Sequence, residues 1–399
     1  MGPPKVAVVF HHIGPYHHAR LNAAAQRLSI LGLEWFAVGS YPWGVAVEQC
    51  GYEKKSLFAR YNSKQSYHSK VLENHFINAL RDYSPDVLVV NGWKDFGSLI
   101  SLSVGRCMGI PLVVMSESTR YDLRRNFLKE HLKKRILKSC ASALVGGQLH
   151  KAYLTHLGFP ESDIFLGYDA VDNAHFAQRA AQSRQGSQQL RSRLKLPKPF
   201  FLASARFVDK KNLSRLIQAY ARYHFQAKTH PWHLVLLGDG VLRPQLQAQI
   251  DHLGLKHYVH LPGFKQYDEL PNYYGLANCF IHASTTEQWG LVVNEAMASG
   301  LPVLVSSRCG CAPDLVKEGH NGFTFDPYDI NQLAGLMLKI SSGQWDLVAM
   351  GQASQDIIAD WSPQTFADNL SKAVEVALSS PLRKINFLDQ TLFWALSRR

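Results

Sequence analysis

The sequence predicts an α/β protein made of two Rossmann-like, doubly wound parallel-sheet domains in series. Three observations carry this. Short apolar runs such as Lys5–Phe10 alternate with amphipathic helical stretches, the rhythm of strands joined by helical crossovers. The alternation breaks over 177–199, a Gln-, Arg- and Ser-rich stretch ending Leu196-Pro-Lys-Pro199, and then restarts. The 399 residues leave room for two domains of roughly 100–200 residues each.

Taken in order, Lys5–Phe10 reads as a buried strand closing at a turn around Gly14-Pro15. Arg20–Leu31 follows as a helix with Gly32 as its stop, and Leu33–Val38 as a second strand. Strands at 86–90, 111–115 and 142–145 complete a first domain over 1–176. Residues 177–199 are expected to be an exposed helix-and-loop linker. A second domain over 200–362 has expected strands at 200–204, 233–237, 259–261, 279–282, 302–305 and 323–325. The remainder, 363–399, reads as C-terminal helices returning to the first domain. The first of them, Pro363–Ser379, has Ser362 as its N-cap and Pro363 at the first helical position, and a basic amphipathic tail begins at Arg383.

Composition narrows the classes. A hydrophobic share of 46% with 19% charged residues excludes a disordered chain. No run of 18 apolar residues exists, so no membrane-spanning helix is expected, and the N-terminus reads as a strand, not a secretory signal. The six cysteines follow no disulfide or zinc spacing, which suggests reduced thiols and a cytoplasmic protein. The net charge of +12 lies wholly in residues 1–200; residues 201–399 balance to zero. The excess is densest from Arg120 to Lys138. There Leu123, Phe127, Leu128, Leu132 and Ile136 recur at helical spacing, with Arg124, Arg125, Lys129, Lys133, Lys134 and Lys138 on the other side. A solvated helix face and contact with an anionic membrane surface both fit this pattern, the second putting the protein on the inner face of a membrane. No nucleic-acid motif accompanies the charge, so no nucleic-acid partner is expected.

In open α/β sheets ligands bind beyond the carboxyl ends of the strands, so residues just after strands are the first candidates. After the 279–282 strand comes Thr285-Thr-Glu-Gln-Trp-Gly-Leu-Val-Val-Asn-Glu295, in which a loop carboxylate, Glu287, precedes a helix opening at Gly290–Leu291, with Glu295 a turn inside it. The helix start suits a phosphate, and the carboxylates suit hydroxyls. A sugar nucleotide offers both. After the 200–204 strand, Arg206 and Lys211 suit a diphosphate clamp. Gly238-Asp-Gly240 reads as a turn, and the cluster His11, His12, His17 and His18 has no metal-site spacing.

These motifs resemble those of the retaining glycosyltransferases of family 4, which have the GT-B fold. The match rests on Glu287-x7-Glu295 within Glu-x-Trp-Gly-Leu-Val-x-Asn-Glu-Ala-Met-Ala-Ser-Gly-Leu-Pro-Val and on Arg206-x4-Lys211. Leu261-Pro-Gly-Phe264, Gly319-His-Asn-Gly-Phe323 and Asp169-Ala-Val-Asp-Asn-Ala-His-Phe176 support it. The resemblance implies two Rossmann-like domains facing across a central cleft. It also implies hexose transfer from a nucleotide-sugar donor (UDP- or GDP-hexose) to a hydroxyl of a glycan or lipid-linked glycan, without cofactor or metal. Arg206, Lys211 and Glu287 would be catalytic. Gly14, Gly263, Phe264, Lys265, Gly290, Leu291, Val292 and Glu295 would bind the donor. On the acceptor side the candidates are His17, Asn91, Trp93 and Glu117, the last standing where family members often carry a histidine. A non-catalytic nucleotide-sugar sensor or scaffold and a nucleotide-sugar epimerase are the alternatives.

Overall fold

The computed structural model of the chain describes residues 2–38, 50–60, 69–122, 126–227 and 230–381. They form two units. One runs to Ala170 and takes in the helix that begins after Ser362; the other is Val171–Trp361.

The first unit holds a parallel sheet of β1 (Lys5–Phe10), β2 (Ser29–Val38), β3 (Glu53–Arg60), β4 (Val87–Asn91), β5 (Leu112–Ser116), β6 (Ser142–Val145) and β7 (Ile164–Phe165). Their order is β3-β2-β1-β4-β5-β6-β7. The helices between them are α1 (Pro15–Ala24), α2 (Ser69–Tyr83), α3 (Phe96–Cys107), α4 (Phe127–Leu137) and α5 (Gln148–His156). The central strands β1, β4, β5 and β6 are mostly apolar and buried because both sheet faces are covered there. Trp35, Phe76, Val90 and Tyr153 lie in the core on one face. Val8, Leu21 and Val89 pack on the other against Phe366, Leu370 and Val374 of the final helix. Chain order reverses between β1 and β4, which opens a crevice at their carboxyl ends.

The second unit starts with α6 (Asn173–Gln185) and α7 (Ser187–Leu194), followed by β8 (Phe200–Ser204), α8 (Leu213–Gln226), β9 (His233–Leu237), α9 (Arg243–His252), β10 (Val259–Gly263) and α10 (Leu270–Leu276). It continues with β11 (Cys279–His282), α11 (Leu291–Ala298), β12 (Val303–Ser306), α12 (Ala312–Leu315), β13 (Gly322–Phe325), α13 (Ile330–Ser341) and α14 (Leu347–Ile358). The parallel sheet runs β10-β9-β8-β11-β12-β13 and reverses between β8 and β11. The final helix, α15 (Pro363–Ser379), starts as its sequence predicts: the Ser362 hydroxyl accepts from the Thr365 N–H and Pro363 takes the first turn.

Three expectations change. The first helix ends at Ala24, and Gly32 lies inside β2; a Cβ there would stand 2.7 Å from Tyr52 Cε2, so close packing, not a helix stop, explains the glycine. Strands β3 and β7 were not anticipated: β3 is an edge strand of mixed polarity and β7 has two residues. The expected linker is α6 and α7, and α6 packs on α10, where Gly275 lets the Ala180 backbone approach. In the basic helix only the C-terminal turn is buried, through Ile136 and Leu137. Phe127 and Leu128, on its apolar side, are 83% and 75% exposed. Leu123, Arg124 and Arg125, and the tail from Arg383, lie outside the described residues.

Candidate functional site

The reversal between β8 and β11 brings together two loops that are 70 residues or more apart in sequence. The β8 loop carries Arg206, Lys210 and Lys211; the β11 loop carries Ser284, Thr285 and Glu287. The Thr285 N–H donates to the Lys210 carbonyl at 2.9 Å. Asn212, buried and left-handed at φ 59°, donates from Nδ2 to the carbonyls of Ala283 at 3.0 Å and Pro327 at 2.8 Å. These bonds fix Lys211 against the β11 loop.

Lys211 Nζ is ion-paired with Glu287 Oε2, and Lys210 Nζ lies 3.6 Å from Oε1. The side chains of Lys211 and Glu287 are only 12% and 13% exposed. His282 Nε2 stands 3.6 Å from the same carboxylate, and the Ser284 hydroxyl donates to it at 3.3 Å. Burial alone would raise the Glu287 carboxyl. The hydrogen bond from His282 and the Lys211 charge reverse this and hold it well below the usual range. Desolvation lowers His282 despite Glu287. The site therefore holds a fixed anion beside two lysines, with Arg206 exposed at its edge.

The Arg206 turn is set by contacts too close for side chains. A Cβ on Gly238 would lie 1.9 Å from the Ala205 carbonyl oxygen, and the Ala205 and Phe207 N–H groups bond to Leu237 and Asp239. The Gly238–Gly240 stretch is thus a packing turn that shapes its neighbour. Beyond Glu287, Gly290 caps α11 at φ 109°, a conformation other residues rarely adopt, and directs the first-turn N–H groups of Leu291 and Val292 out of the helix start. Glu295 is fully buried and accepts from the Tyr274 hydroxyl at 2.6 Å. Gly263 ends β10 and Phe264 and Lys265 follow it, with Phe264 38% exposed and the Lys265 ammonium 5.5 Å from the Tyr273 ring centre.

In the first unit the expected residues gather at the carboxyl ends of the strands. Gly14 caps α1, its N–H donating to His17 Nδ1 at 3.3 Å. His17 is pushed down to about 3 by desolvation, with the Arg20 charge adding to it, so it is a neutral ring engaged in holding the loop. Asn91 ends β4 and its carbonyl accepts from Ser98; Trp93 packs against the core. Glu117 follows β5 beside the buried Asp169, whose carboxyl is raised well above the usual range by burial and by Glu117. On α4, Lys133 bonds Glu130 at 2.9 Å and the Tyr153 hydroxyl at 2.8 Å, whereas Lys129, Lys134 and Lys138 are exposed.

Sequence reasoning missed Asn212, His282 and Ser284, which touch or fix the ion pair, and Glu34, a carboxylate fully buried in β2. A charged residue in the apolar run Ser29–Val38 was the available signal for Glu34. Among the described residues, no cluster of three or more His, Cys, Asp or Glu side chains could hold a metal ion, and no helix is long and apolar enough to cross a membrane.

Residues 187–356 match the sequence family described as Glycosyl transferases group 1. The chain is similar to the alpha-monoglucosyldiacylglycerol synthase of Acholeplasma laidlawii, with 31% identity over 37% of either chain. It is also similar to the amylovoran biosynthesis glycosyltransferase AmsK of Erwinia amylovora, with 28% identity over 58% of this chain and 56% of that one. The chain thus spans less than two thirds of either relative. Among solved structures, Anabaena HepE in complex with UDP and glucose superposes with a TM-score of 0.72 at 18% identity, covering 93% of this chain and 99% of that one. The fold is accordingly of the GT-B class, with two Rossmann-like parallel-sheet units.

Proposed function

We propose that this chain, a group 1 glycosyl transferase by its 187–356 region, moves a hexose from a nucleotide-sugar donor to a hydroxyl of a glycan or lipid-linked acceptor, with retention at the anomeric carbon. The observation that carries this is the buried Lys211–Glu287 ion pair at the β8/β11 reversal, with Lys210, Arg206 and the Gly290-capped start of α11 around it. The similarity to an alpha-monoglucosyldiacylglycerol synthase and to an amylovoran biosynthesis glycosyltransferase supports the substrate class.

The chemistry follows from the charges. As the sugar leaves its donor, negative charge grows on the diphosphate. Lys211 and Arg206 neutralise it together with the N–H groups of Leu291 and Val292, in a preorganised site that needs no rearrangement. Glu287, kept ionised by Lys211 and His282, accepts hydrogen bonds from donor-sugar hydroxyls and stabilises positive charge at the reacting carbon. Glu295, held by Tyr274, takes the ribose hydroxyls, and the Gly263–Lys265 loop borders the base. Within the first unit, Gly14 leaves the turn after β1 open to a close backbone approach by a ligand, and Asn91, Trp93, His17 and Glu117 take the acceptor. No cofactor or metal takes part. The exposed Phe127 and Leu128, together with Lys129, Lys134 and Lys138, contact an anionic membrane that carries the acceptor.

Incubation with a panel of UDP- and GDP-hexoses and a lipid extract tests the reading by nucleotide release and by the anomeric configuration of the product. Release from one donor, dependent on acceptor, is expected. No release with any donor would overturn it.

A further inference from the structure

The loop that carries Glu287 also carries an indole to which the roles above give no task. Trp289 stands between Glu287 and Gly290 and is 2% exposed. Its Nε1–H donates at 2.8 Å to Oδ1 of the buried Asn294, the residue before Glu295. Its carbonyl accepts from the Cys311 N–H at 3.3 Å, and the Glu287 carbonyl accepts from the Gly310 N–H at 3.0 Å. These two bonds stitch the β11 loop to the loop after β12. One ring face of Trp289 meets a second indole, Trp361. The ring centres are 6.2 Å apart and the planes 30° from parallel, an offset stack.

A run of fixed contacts delivers Trp361 to that place. Helix α14 is fastened to the far end of α11. A Cβ on Gly351 would stand 2.2 Å from the Gly300 carbonyl oxygen, so the two backbones touch there. The Ser354 hydroxyl donates to the Leu301 carbonyl at 2.7 Å, and Gln355 Nε2 donates to the Ala298 carbonyl at 3.1 Å. From this anchor the chain passes through the 3-10 turn Ala359–Trp361 to Trp289, which precedes α11. It thereby runs from one end of that helix to the other. Asn173, at the start of α6, holds the turn by donating from Nδ2 to the Ile358 carbonyl at 2.9 Å and the Trp361 carbonyl at 3.5 Å. Trp361 is half-buried and is the last residue of the second unit, so every contact in this run lies within that unit.

We propose that Trp361 is a positioning residue for sugar transfer: it braces Trp289 and, through it, holds Glu287 and the start of α11 in place against the donor. This rests on the glycosyl-transfer reading of the β8/β11 site. Trp361 acts through Trp289, not on the substrate.

The lever is short. Glu287 and Gly290 bound a stretch of four residues with Trp289 inside it. A tilt of the Trp289 plate therefore displaces the carboxylate on one side and the Leu291 and Val292 N–H groups on the other. Gly290, at φ 109°, has no Cβ to resist such a swivel. The Asn294 bond fixes the edge of the indole, and Trp361 supplies the support on its face. Transfer depends on such placement, since a misplacement of about 1 Å can cost about 10²-fold in rate.

The test compares the full-length wild type with Trp361→Phe, which keeps a plate over Trp289, and Trp361→Leu, which keeps apolar bulk without one. Asn173→Ala is added because it loosens the Trp361 turn and touches neither indole. In transfer from a nucleotide hexose, Trp361→Leu should lose kcat by about 10-fold or more, with donor KM within about threefold. Trp361→Phe should return to within about threefold of wild type, and Asn173→Ala should fall between the two. Hydrogen exchange read by mass spectrometry is independent of turnover. Amides of 285–292 should exchange at least ~10-fold faster in Trp361→Leu, while those of β8 keep their wild-type rates; Trp361→Phe should leave both unchanged. Loop amides that keep wild-type rates in both Trp361→Leu and Asn173→Ala overturn the proposal. So does an equal acceleration of the loop and β8, which marks a general loss of stability, and so does wild-type kcat in Trp361→Leu. A wild type that releases no nucleotide from any donor refutes the transferase reading instead, and the exchange rates still decide whether Trp361 braces the loop.

Discussion

Replacing Lys211 by Met keeps most of the side-chain volume and removes the charge opposite Glu287. Both partners are about one-eighth exposed, so the carboxylate left behind stays largely out of water. Stranding one member of a buried pair commonly costs about 3–5 kcal/mol. Here Lys210 at 3.6 Å and the Ser284 hydroxyl at 3.3 Å remain beside Glu287, which reduces the loss to about 2–3 kcal/mol. For a unit of this size that is a fall in Tm of about 5–10 °C. Glu287→Gln added to Lys211→Met removes the stranded charge, so the double variant should recover most of the lost stability, with a coupling energy above about 1 kcal/mol. Activity should not recover: both variants should transfer sugar at least ~10²-fold more slowly, because the leaving group has lost its cation. Thermal denaturation and nucleotide-release rates on the four members of the cycle check this. Additive destabilisation would refute the buried-pair reasoning, and wild-type turnover in Lys211→Met would refute the site.

Asn212→Ala removes two buried hydrogen bonds and places Ala at a left-handed position, so a loss of about 2–4 kcal/mol is expected, together with slower turnover from a displaced Lys211; denaturant titration beside kinetics reads both. His17 has a folded pKa of about 3 against 6.5, so the stability it contributes is complete above pH 6.5 and is lost as pH falls from 6.5 toward 3. In His17→Gln the decline of Tm across that window should be shallower; parallel curves for the two proteins would contradict the assignment. Charge reversal of Lys129, Lys134 and Lys138 together should weaken sedimentation with anionic vesicles by at least ~10²-fold, from about 1 kcal/mol per residue. Equal sedimentation with neutral vesicles would remove the electrostatic reading of this helix.

Much of the candidate site is legible in the chain because its signals are local. Gly290 before an apolar helix and Arg206 after an apolar strand are each read within one strand–loop–helix unit. Glu34, Asn212 and His282 are not legible in this way. Glu34 takes its meaning from Ser56 and Lys54 on the neighbouring strand and from the loop 21 residues before it. Asn212 matters through Ala283 and Pro327, which only sheet order brings to it. The exposure of Phe127 and Leu128 is not legible either, because helical spacing states which residues share a face, not whether anything covers that face.

By itself, then, the sequence determined two parallel-sheet units, the places where most strands run, the Ser362-capped helix, and the motifs at 206–211 and 287–295, since these rest on local propensity and side-chain period. Tertiary structure decided that 177–199 packs within the second unit, that Gly32 serves packing inside a strand, and that Lys211 and Glu287 form one buried ion pair. It also set which histidine of the first loop meets a carboxylate. Those outcomes depend on strand order and on the exclusion of water from particular groups, and both arise only when segments far apart in the chain are packed side by side.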